Sequence, residues 1–328
     1  MSALLKPPTG GTIQTPLKAT PPKDKTIVYM ECTDGPSCLQ IGQGVEGAAT
    51  ALGWTVKTLT FQEANPATLA SGLRTALQYH PVATVFVGTS YPAWSSVVPA
   101  YTRANAALVP IGVGPAPTSN TILPQVYGGA ARKQIGGDLA NWAVAASKGK
   151  AHVLFLNVPA FAVLSPFLDG FTSTVRSRCR ACSVSVVDAT IPQFNGNQIN
   201  SLIVAAVQKD PKINYIISPD AFINGLPQAL RGAGIDGRVK IGGNAYGPEQ
   251  IADIKNGTET AWIGASNRYY GWLAVDGVLR HLAQMTVQSD APVPTQLITK
   301  QNVDSIKSQE YYEPPFDYEA QFKRLWNV

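Results

Sequence analysis

The sequence predicts an α/β protein with two lobes, each built on a parallel sheet that is covered by helices on both faces. Short apolar strands alternate with helices of about 10–15 residues, which is the order typical of parallel sheets. The alternation occurs in two runs of similar length, before and after about residue 129. The 328 residues are also enough for two domains.

The first run starts at a short β-branched segment and then alternates regularly. Asn65 and Pro66 mark one helix start, because asparagine is a frequent helix cap and proline suits the first helical position. The predicted elements are a strand at 25–32, a helix at 39–52, a strand at 55–61, a helix at 65–80, a strand at 82–88, a helix at 94–106 and a strand at 108–114.

The second run repeats this order and is longer. Because ligands of parallel sheets lie outside the carboxyl ends of the strands, we expect the function in a cleft between the lobes. The predicted helices are at 131–147, 165–178, 196–209, 221–233, 247–256 and 269–285, and the strands at 151–158, 183–189, 213–219, 239–244 and 260–266.

Three glycines, Gly42, Gly44 and Gly47, have the G-x-G-x-x-G spacing of dinucleotide-binding enzymes. In those enzymes the first glycine directly follows a strand, so that the helix N-terminus faces the pyrophosphate. Here Gly42 comes ten residues after Cys32 and lies inside the predicted helix. We therefore predict no nucleotide site and expect the glycines to let the helix pack closely against its sheet.

The composition favours a loop-rich, secreted protein. Charged residues make up 14%, against about 25% in a typical soluble domain, whereas Gly (29) and Pro (25) are plentiful. The net charge of +5 is spread along the chain, and its densest basic stretch (Arg176, Arg178 and Arg180) is a short helix end, so nucleic-acid binding is not predicted.

The first 25 residues are rich in Pro, Thr, Gly and Lys, and we expect a flexible leader or the remnant of a surface tether. No apolar run approaches the roughly 20 residues that span a bilayer. No signal peptide is recognised at the start, and we expect a protein that is not embedded in a membrane.

The four cysteines form two close pairs, Cys32/Cys38 and Cys179/Cys182. Two local disulfides are favoured, which would place the protein in an oxidising, extracytoplasmic compartment. The alternative is four buried thiols in a cytosolic protein. A zinc site would need all four cysteines to converge, and the three histidines (His80, His152 and His281) are scattered, so no metal site is predicted.

Catalytic motifs are not found in the sequence. G-x-S-x-G, H-E-x-x-H and the phosphate-binding G-x-x-x-x-G-K-[ST] are missing, and there is no histidine-rich cluster. We therefore expect a protein that is not an enzyme and that uses no cofactor.

The ordered segments "LQIGQGVEGAATALGWTV", "VATVFVGTSYPAWSSVVPAYTRANAALVPIGVG" and "PKINYIISPDAFINGLPQALRGAGIDGRVKIGGNAYGPEQ" resemble the type I periplasmic binding proteins, particularly their ribose-binding-like branch. The resemblance covers roughly residues 25–290. It implies two Rossmann-like lobes joined by a three-crossover hinge, with crossovers near 127–131, 265–268 and 290–296. The N-terminal lobe would comprise 26–129 plus 268–292, and the C-terminal lobe 130–267 plus 293–328.

The resemblance also implies an extracytoplasmic solute-binding protein of an ABC importer, whose lobes close on a small molecule by hinge rotation. Its expected partner is an ABC transporter permease. The protein would be a monomer and peripheral to the membrane, and a lipid anchor in its full-length precursor stays open. A ligand-sensing receptor component and a conventional sugar-binding protein are the alternatives. A transcriptional regulator of this fold would carry an N-terminal helix-turn-helix of about 60 residues, and the leader is too short for it.

The family's ligand contacts come from the loops after the strands, and the resemblance carries them to matching positions of this chain. Asp220 has an alternative role as a helix cap, and the aromatic residues have one as core residues. The implied ligand-binding residues are Thr33, Asp34, Tyr91, Trp94 and Gly114 in the first lobe, Phe161, Ser165, Phe194, Asp220, Phe222, Asn244 and Tyr246 in the second, and Asn267 at the hinge.

Several of these positions depart from the sugar-binding pattern. "GVGPAP" replaces an Asp-Arg pair, Asn244 replaces an Asp, and the arginine of the second lobe's first ligand loop is missing. A buried hydroxyl without a partner costs about 1–3 kcal/mol, and aromatic side chains offer area with few polar groups. We therefore expect a ligand with fewer hydroxyls than a hexose: an aromatic or alicyclic compound, or a small polyol.

Overall fold

The computed structural model describes residues 2–33, 36–63, 65–235, 237–288 and 292–328. Its elements follow the predicted alternation closely. Up to residue 111 they are α1 (Ser2–Leu5), β1 (Thr26–Cys32), α2 (Pro36–Leu52), β2 (Thr55–Phe61), α3 (Pro66–Ala76), β3 (Ala83–Val87), α4 (Tyr91–Trp94), α5 (Val98–Ala104) and β4 (Ala107–Ile111).

The remaining elements continue the same order until the last strand and helix. They are α6 (Gly129–Ala146), β5 (His152–Asn157), α7 (Ser165–Arg178), β6 (Ser183–Asp188), α8 (Ile191–Asn195), α9 (Ile199–Lys209), β7 (Tyr215–Ser218), α10 (Leu226–Gly232), β8 (Lys240–Asn244), α11 (Pro248–Asn256), β9 (Ala261–Ala265), α12 (Asn267–Leu282), β10 (Thr295–Thr299) and α13 (Tyr318–Trp326).

The chain forms two compact units. The N-unit comprises Gly10–Ala131, Ser266–Val293 and Phe316–Val328, and the C-unit comprises Met1–Thr9, Arg132–Ala265 and Pro294–Pro315. The chain passes from one unit to the other near each of the three predicted crossovers. It also changes unit between residues 9 and 10 and between residues 315 and 316. Both additional passages involve terminal segments.

The sheet of the N-unit has the order β2-β1-β3-β4, and its strands pair in parallel. β3 and β4 are buried along their whole length, as the continuous apolar runs of a covered parallel sheet require. β2 lies at an edge and is largely exposed. The α/β architecture predicted from the sequence is confirmed.

The sheet of the C-unit has the order β10-β9-β8-β7-β5-β6. Its strands pair in parallel except for β10, which is antiparallel to β9. The sequence prediction missed β10, because it follows the last helix of the alternation. Ile203, Ile216 and Ile223 are among the fully buried residues of this unit's core.

Close approaches explain the glycines of α2. A Cβ at Gly42 would lie 2.7 Å from the Tyr29 ring of β1, and one at Gly44 would collide with the backbone carbonyl of Arg268. A Cβ at Gly271 of α12 would in turn lie 2.5 Å from the carbonyl oxygen of Ile41. Gly42 therefore lets α2 lie close to the sheet, as the sequence predicted, and Gly44 lets it lie close to α12. Both lie inside a helix rather than in a phosphate-binding turn.

The predicted flexible leader is wrong for much of its length, because residues 10–22 pack on the N-unit. Ile13 and Leu17 are buried, and the Leu17 N–H donates to the Leu325 carbonyl at 2.8 Å. The Trp54 indole N–H donates to the Pro22 carbonyl at 2.7 Å. Two apolar side chains and these hydrogen bonds hold a segment whose composition suggested a linker.

The assignment of the C-terminal tail to the second lobe is also wrong for residues 316–328, which belong to the N-unit. α13 has a buried apolar face toward α12. Trp326 stacks on Trp272 with 5.3 Å between ring centroids, and Phe322 stacks on the same indole at 5.7 Å. Burial of these aromatic rings fixes the tail to this unit.

Both predicted disulfides are present, Cys32–Cys38 and Cys179–Cys182. None of the helices in the described ranges is long and apolar enough to span a bilayer. The described residues also contain no group of three His, Cys, Asp or Glu side chains arranged to hold a metal ion.

A buried carboxyl group lies beneath the start of β9. Glu259 is only 2% exposed, and the Trp262 indole N–H donates to its Oε2. Burial, together with the nearby Asp253 and Glu249 carboxylates, raises the pKa of Glu259 to about 8, although the hydrogen bond from Trp262 acts in the opposite direction. Glu259 is therefore protonated in the folded protein at neutral pH.

Because the folded-state pKa of Glu259 is raised, its contribution to stability is complete below the unfolded pKa and is lost as the pH rises toward about 8. We expect Glu259→Gln to keep the bond from Trp262 and to make the free energy of unfolding depend less on pH. At pH 8 the variant should be more stable than the wild type by about 2–4 kcal/mol. Urea unfolding between pH 5 and about 8 measures this. Glu310→Gln, at an exposed position, is the matched control, and parallel pH profiles for the Glu259 variant and the wild type would contradict the prediction.

Candidate functional site

The loops that follow β5, β6, β7 and β8 lie at one edge of the C-unit sheet, because these strands are parallel. Every ligand-binding residue predicted for the second lobe belongs to these loops or to the strand and helix ends beside them. The structure shows that the residues differ greatly in exposure and in their contacts.

Three phenylalanines, each from a different loop, form one aromatic cluster at this edge. Phe161 lies edge-on to Phe194 at 5.3 Å between ring centroids, and Phe194 lies edge-on to Phe222 at 5.1 Å. Phe161 and Phe222 are 6.3 Å apart. All three side chains are half-buried, so part of each ring is accessible. We name these three residues the phenylalanine cluster.

Local hydrogen bonds set the positions of the phenylalanine cluster. The Phe161 N–H donates to the Val158 carbonyl at 2.9 Å, which closes a turn directly after β5. Thr190 and Gln193 form a capping box at the start of α8, the short helix that carries Phe194. The rings are therefore held by turns and caps rather than by flexible loops.

Asp220 supplies a carboxyl group next to Phe222. Its Oδ1 accepts a hydrogen bond from the Ala221 N–H at 2.7 Å, so it caps its own turn and not the distant start of α10. Burial raises the pKa of Asp220 to about 6, although the Ala221 N–H and the positive charge of Arg132 act in the opposite direction. Asp220 is ionised at neutral pH with a cation nearby.

Arg132 is a residue that the sequence analysis missed. It lies in the first turn of α6 and is half-buried. The family resemblance implies an arginine in the loop after β5, whereas the structure brings this one from a helix that precedes β5. Arg132 directly follows the predicted crossover at 127–131, and this position could have indicated it as a candidate site residue.

Asn244 and Tyr246 are both buried in this structure. Asn244 ends β8, is 3% exposed, and donates from Nδ2 to the Pro219 carbonyl at 3.4 Å. Tyr246 is 6% exposed, donates to the Ser308 carbonyl at 3.3 Å and packs edge-on against Tyr312. The Tyr246 ring therefore packs in the core of the C-unit, which favours a core role, and its contact with a ligand stays a prediction.

Ser165 is the first residue of α7 and is exposed. Phe167, two residues further along the helix, is buried and packs against Phe155 with 5.6 Å between ring centroids.

In the N-unit, Thr33 is exposed directly after β1, and its N–H donates to the Phe61 carbonyl at 3.0 Å. Asp34, the other residue predicted in this loop, lies outside the described residues. The disulfide between Cys32 and Cys38 spans the loop, and the Tyr29 hydroxyl donates to the Cys38 carbonyl at 2.5 Å. These bonds restrain the ends of the loop.

Trp94 was predicted as a ligand contact, and its surroundings favour a core role instead. Its side chain is fully buried, its indole N–H donates to the Thr89 carbonyl at 3.0 Å, and it lies edge-on to Phe86 at 4.9 Å. Tyr91, half-buried, lies edge-on to Trp94 at 4.9 Å. Trp94 therefore supports Tyr91 from the core, and Tyr91 is the accessible aromatic of this loop.

Gly114 is buried in the turn after β4. Asn267 is half-buried at the first position of α12, whose cap is Ser266, and donates from Nδ2 to Oε1 of Gln40 at 2.7 Å. Gln40 on α2 is a second polar residue that the sequence analysis did not predict.

Two carboxylates also lie near the carboxyl end of β1. Burial raises the pKa of the Tyr29 hydroxyl, and the negative charges of Glu31 and Glu63 raise it further. Glu63 lies against Gly88, at the end of β3, where a Cβ would collide with its carboxylate. The positive φ of 76° favours glycine at this position.

Two α/β units with parallel sheets, each with polar and aromatic residues in the loops at the strands' carboxyl ends, define the class of type I periplasmic binding proteins. The family model described as "Periplasmic binding protein domain" matches residues 28–284, and the chain belongs to this family. The family and the fold that the sequence predicted are confirmed.

Solved structures with this fold include GanP, a glucose-galactose binding protein from Geobacillus stearothermophilus, which is 20% identical and covers 86% of this chain and 99% of its own, with a TM-score of 0.74. The 5-methylthioribose transporter solute-binding protein from Thermotoga lettingae, in complex with 5-methylthioribose, is 17% identical, covers 95% and 99%, and has a TM-score of 0.75.

An ABC transporter solute-binding protein from Agrobacterium vitis with bound allitol is 21% identical and covers 86% of this chain and 98% of its own, with a TM-score of 0.73. A comparison with curated protein sequences gives no match.

Proposed function

We propose that this chain is the extracytoplasmic solute-binding component of an ABC importer, which captures a small molecule and delivers it to a membrane permease without altering it. Its membership of the periplasmic binding protein family supports this role. Structural neighbours that are ABC transporter binding proteins support it as well. The two disulfides are consistent with an oxidising compartment.

The phenylalanine cluster is the observation on which the ligand class rests. Three half-exposed rings from successive loops give the C-unit an apolar surface at the strands' carboxyl ends. Asp220, with Arg132 nearby, adds one charged pair next to this surface. A solute with an apolar part and a few hydroxyl groups fits this arrangement better than a free hexose does.

The neighbours' ligands suggest suitable probes. 5-Methylthioribose carries an apolar thioether on a pentose, and allitol is a linear polyol. We propose a ligand that is less polar than allitol: a deoxy or alkylated sugar, an alicyclic polyol or an aromatic acid. In the N-unit, the accessible residues Thr33, Tyr91 and Asn267 stay predicted ligand contacts.

A thermal-shift panel of hexoses, polyols, 5-methylthioribose and aromatic acids tests this proposal. A ligand at 100 times its dissociation constant stabilises the folded protein by about 2.7 kcal/mol, which is easily measured. We expect the compounds with apolar substituents to give the largest shifts, and calorimetry then gives their affinities.

For the compound that binds best, Phe161→Ala and Phe222→Ala should each weaken binding by about 10-fold to 100-fold. Phe316→Ala, which removes a half-buried ring of the N-unit, is the matched control and should leave the affinity unchanged. Tight hexose binding that both cluster variants retain would favour the conventional sugar-binding protein and refute the proposed ligand class.

A further inference from the structure

The amino ends of four C-unit strands carry an unusual number of cations. Lys148 and Lys150 precede β5, and Arg176, Arg178 and Arg180 precede β6. All five side chains are exposed. Because parallel strands begin at the same edge of a sheet, residues that precede different strands lie side by side.

The neighbouring strands β7 and β8 extend this row. Lys209 and Lys212 precede β7, Arg238 lies just before β8, and Lys240 is its first residue. These four side chains are also exposed. We name the segments 148–152, 176–183, 209–215 and 238–240 the basic edge. The four strands of this edge span about 15 Å, from the usual spacing between strands.

Hydrogen bonds join the four segments of the basic edge. Asn214 donates from Nδ2 to the Lys150 carbonyl at 2.9 Å and accepts from the His152 N–H at 2.8 Å. His152 Nδ1 lies 2.8 Å from the Ser183 hydroxyl, and the Lys240 N–H donates to the Asn214 carbonyl at 2.9 Å. The cations therefore project from one connected surface.

Negative charge is scarce on this surface. Asp210 is the only acidic residue within the four segments, and its Oδ1 accepts a hydrogen bond from the Lys212 N–H at 3.0 Å. The four segments together hold nine cations against this one carboxylate. Such a density produces a local positive potential much greater than the protein's net charge of +5 suggests.

Helix dipoles explain part of the pattern but not all of it. Cations near helix C-termini are favourable, and in this fold helices end where strands begin. The six residues before each of β5 to β8 contain seven Lys or Arg, with Asp210 and Asp236, whereas the same windows before β1 to β4 contain three, with Asp24. Helices end at the amino edge of the N-unit sheet as well as at that of the C-unit sheet. The excess of Lys and Arg in the C-unit therefore needs another cause.

We propose that the basic edge binds the anionic headgroups of a phospholipid bilayer. The cations are spread over four adjacent strands, so they match a broad anionic surface rather than a single phosphate. The four segments hold one aromatic residue, Tyr215, and it is buried, so the stacking platforms of nucleic-acid binding proteins are missing from them. Binding is therefore electrostatic, without insertion of apolar side chains.

Vesicle sedimentation tests this proposal with the full chain. We expect strong binding to vesicles that contain about 30% phosphatidylglycerol at low salt, none to pure phosphatidylcholine, and loss of binding above the roughly 0.5 M salt that screens the charges. Combined replacement of Lys150, Arg178, Arg180 and Lys212 by Gln should lower the partition coefficient by about 100-fold or more.

The matched control removes four exposed cations outside the basic edge: Lys18, Lys57, Arg103 and Lys307, each replaced by Gln. It should lower binding by less than about 5-fold. Equal losses in the two variants, or wild-type binding that does not depend on phosphatidylglycerol, would overturn the proposal. Tighter binding to duplex DNA than to vesicles at the same salt would instead assign the surface to a soluble polyanion. Solute affinity, measured on the same variants, should stay unchanged.

Discussion

Trp94→Ala is expected to lower the free energy of unfolding by about 3–5 kcal/mol, because it leaves a large cavity in the N-unit core. The indole is fully buried, contacts Phe86 and satisfies its N–H with the Thr89 carbonyl. Urea unfolding followed by circular dichroism measures the loss. An unfolded fraction of the variant would lower the apparent affinity for the solute. The affinity must therefore be measured under conditions in which the variant is fully folded.

Tyr91→Ala is the matched control for this loop. Tyr91 is half-buried and lies against Trp94, so its removal should cost less than about 1.5 kcal/mol of stability and act mainly on solute affinity. A stable Trp94 variant with weakened binding would contradict the core assignment and restore the sequence-based expectation that Trp94 contacts the ligand.

The fold could be predicted from the sequence because strand–helix alternation is a local property. Apolar runs such as 83–87 and 107–111 are buried on both faces and need no other information to be recognised as strands. β10 was missed for the same reason, since its position at the sheet edge depends on antiparallel pairing with β9 and on no local alternation.

The candidate site could be predicted only to the level of its loops. Trp94 and Tyr91 are three residues apart in the same short helix, yet one faces the core and the other is accessible. The sequence places both after β3 but does not give the direction of either ring. For the same reason the sequence does not show that Tyr246 is buried, whereas Phe161, Phe194 and Phe222 form a half-exposed cluster.

The basic edge could not be found by scanning the sequence. Its cations come from four segments and lie up to 92 positions apart. The densest of these segments, Arg176–Arg180, holds only three of the nine cations. Parallel pairing of β6, β5, β7 and β8 brings them together. Charge that is diluted along the chain is therefore concentrated by the topology.

The second large effect is expected at Asp276, a buried carboxylate in α12 that connects both terminal segments to the N-unit. Arg280 donates to it from Nε at 2.7 Å, and the Trp326 indole of α13 donates to it at 2.9 Å. Arg280 also donates to the Thr15 carbonyl of the leader at 2.8 Å. Both charged side chains are at most 5% exposed.

Asp276→Asn keeps the shape of the side chain but leaves the Arg280 charge buried without its counterion, which should cost about 3–5 kcal/mol. Denaturant unfolding measures the loss, and limited proteolysis should show faster cleavage in residues 10–22 and 316–328. The control is the double variant Asp276→Leu with Arg280→Met, which removes both charges and should recover most of the stability. A double variant no more stable than the single one would mean that packing of Trp326 and the leader, rather than the ion pair, holds these segments in place.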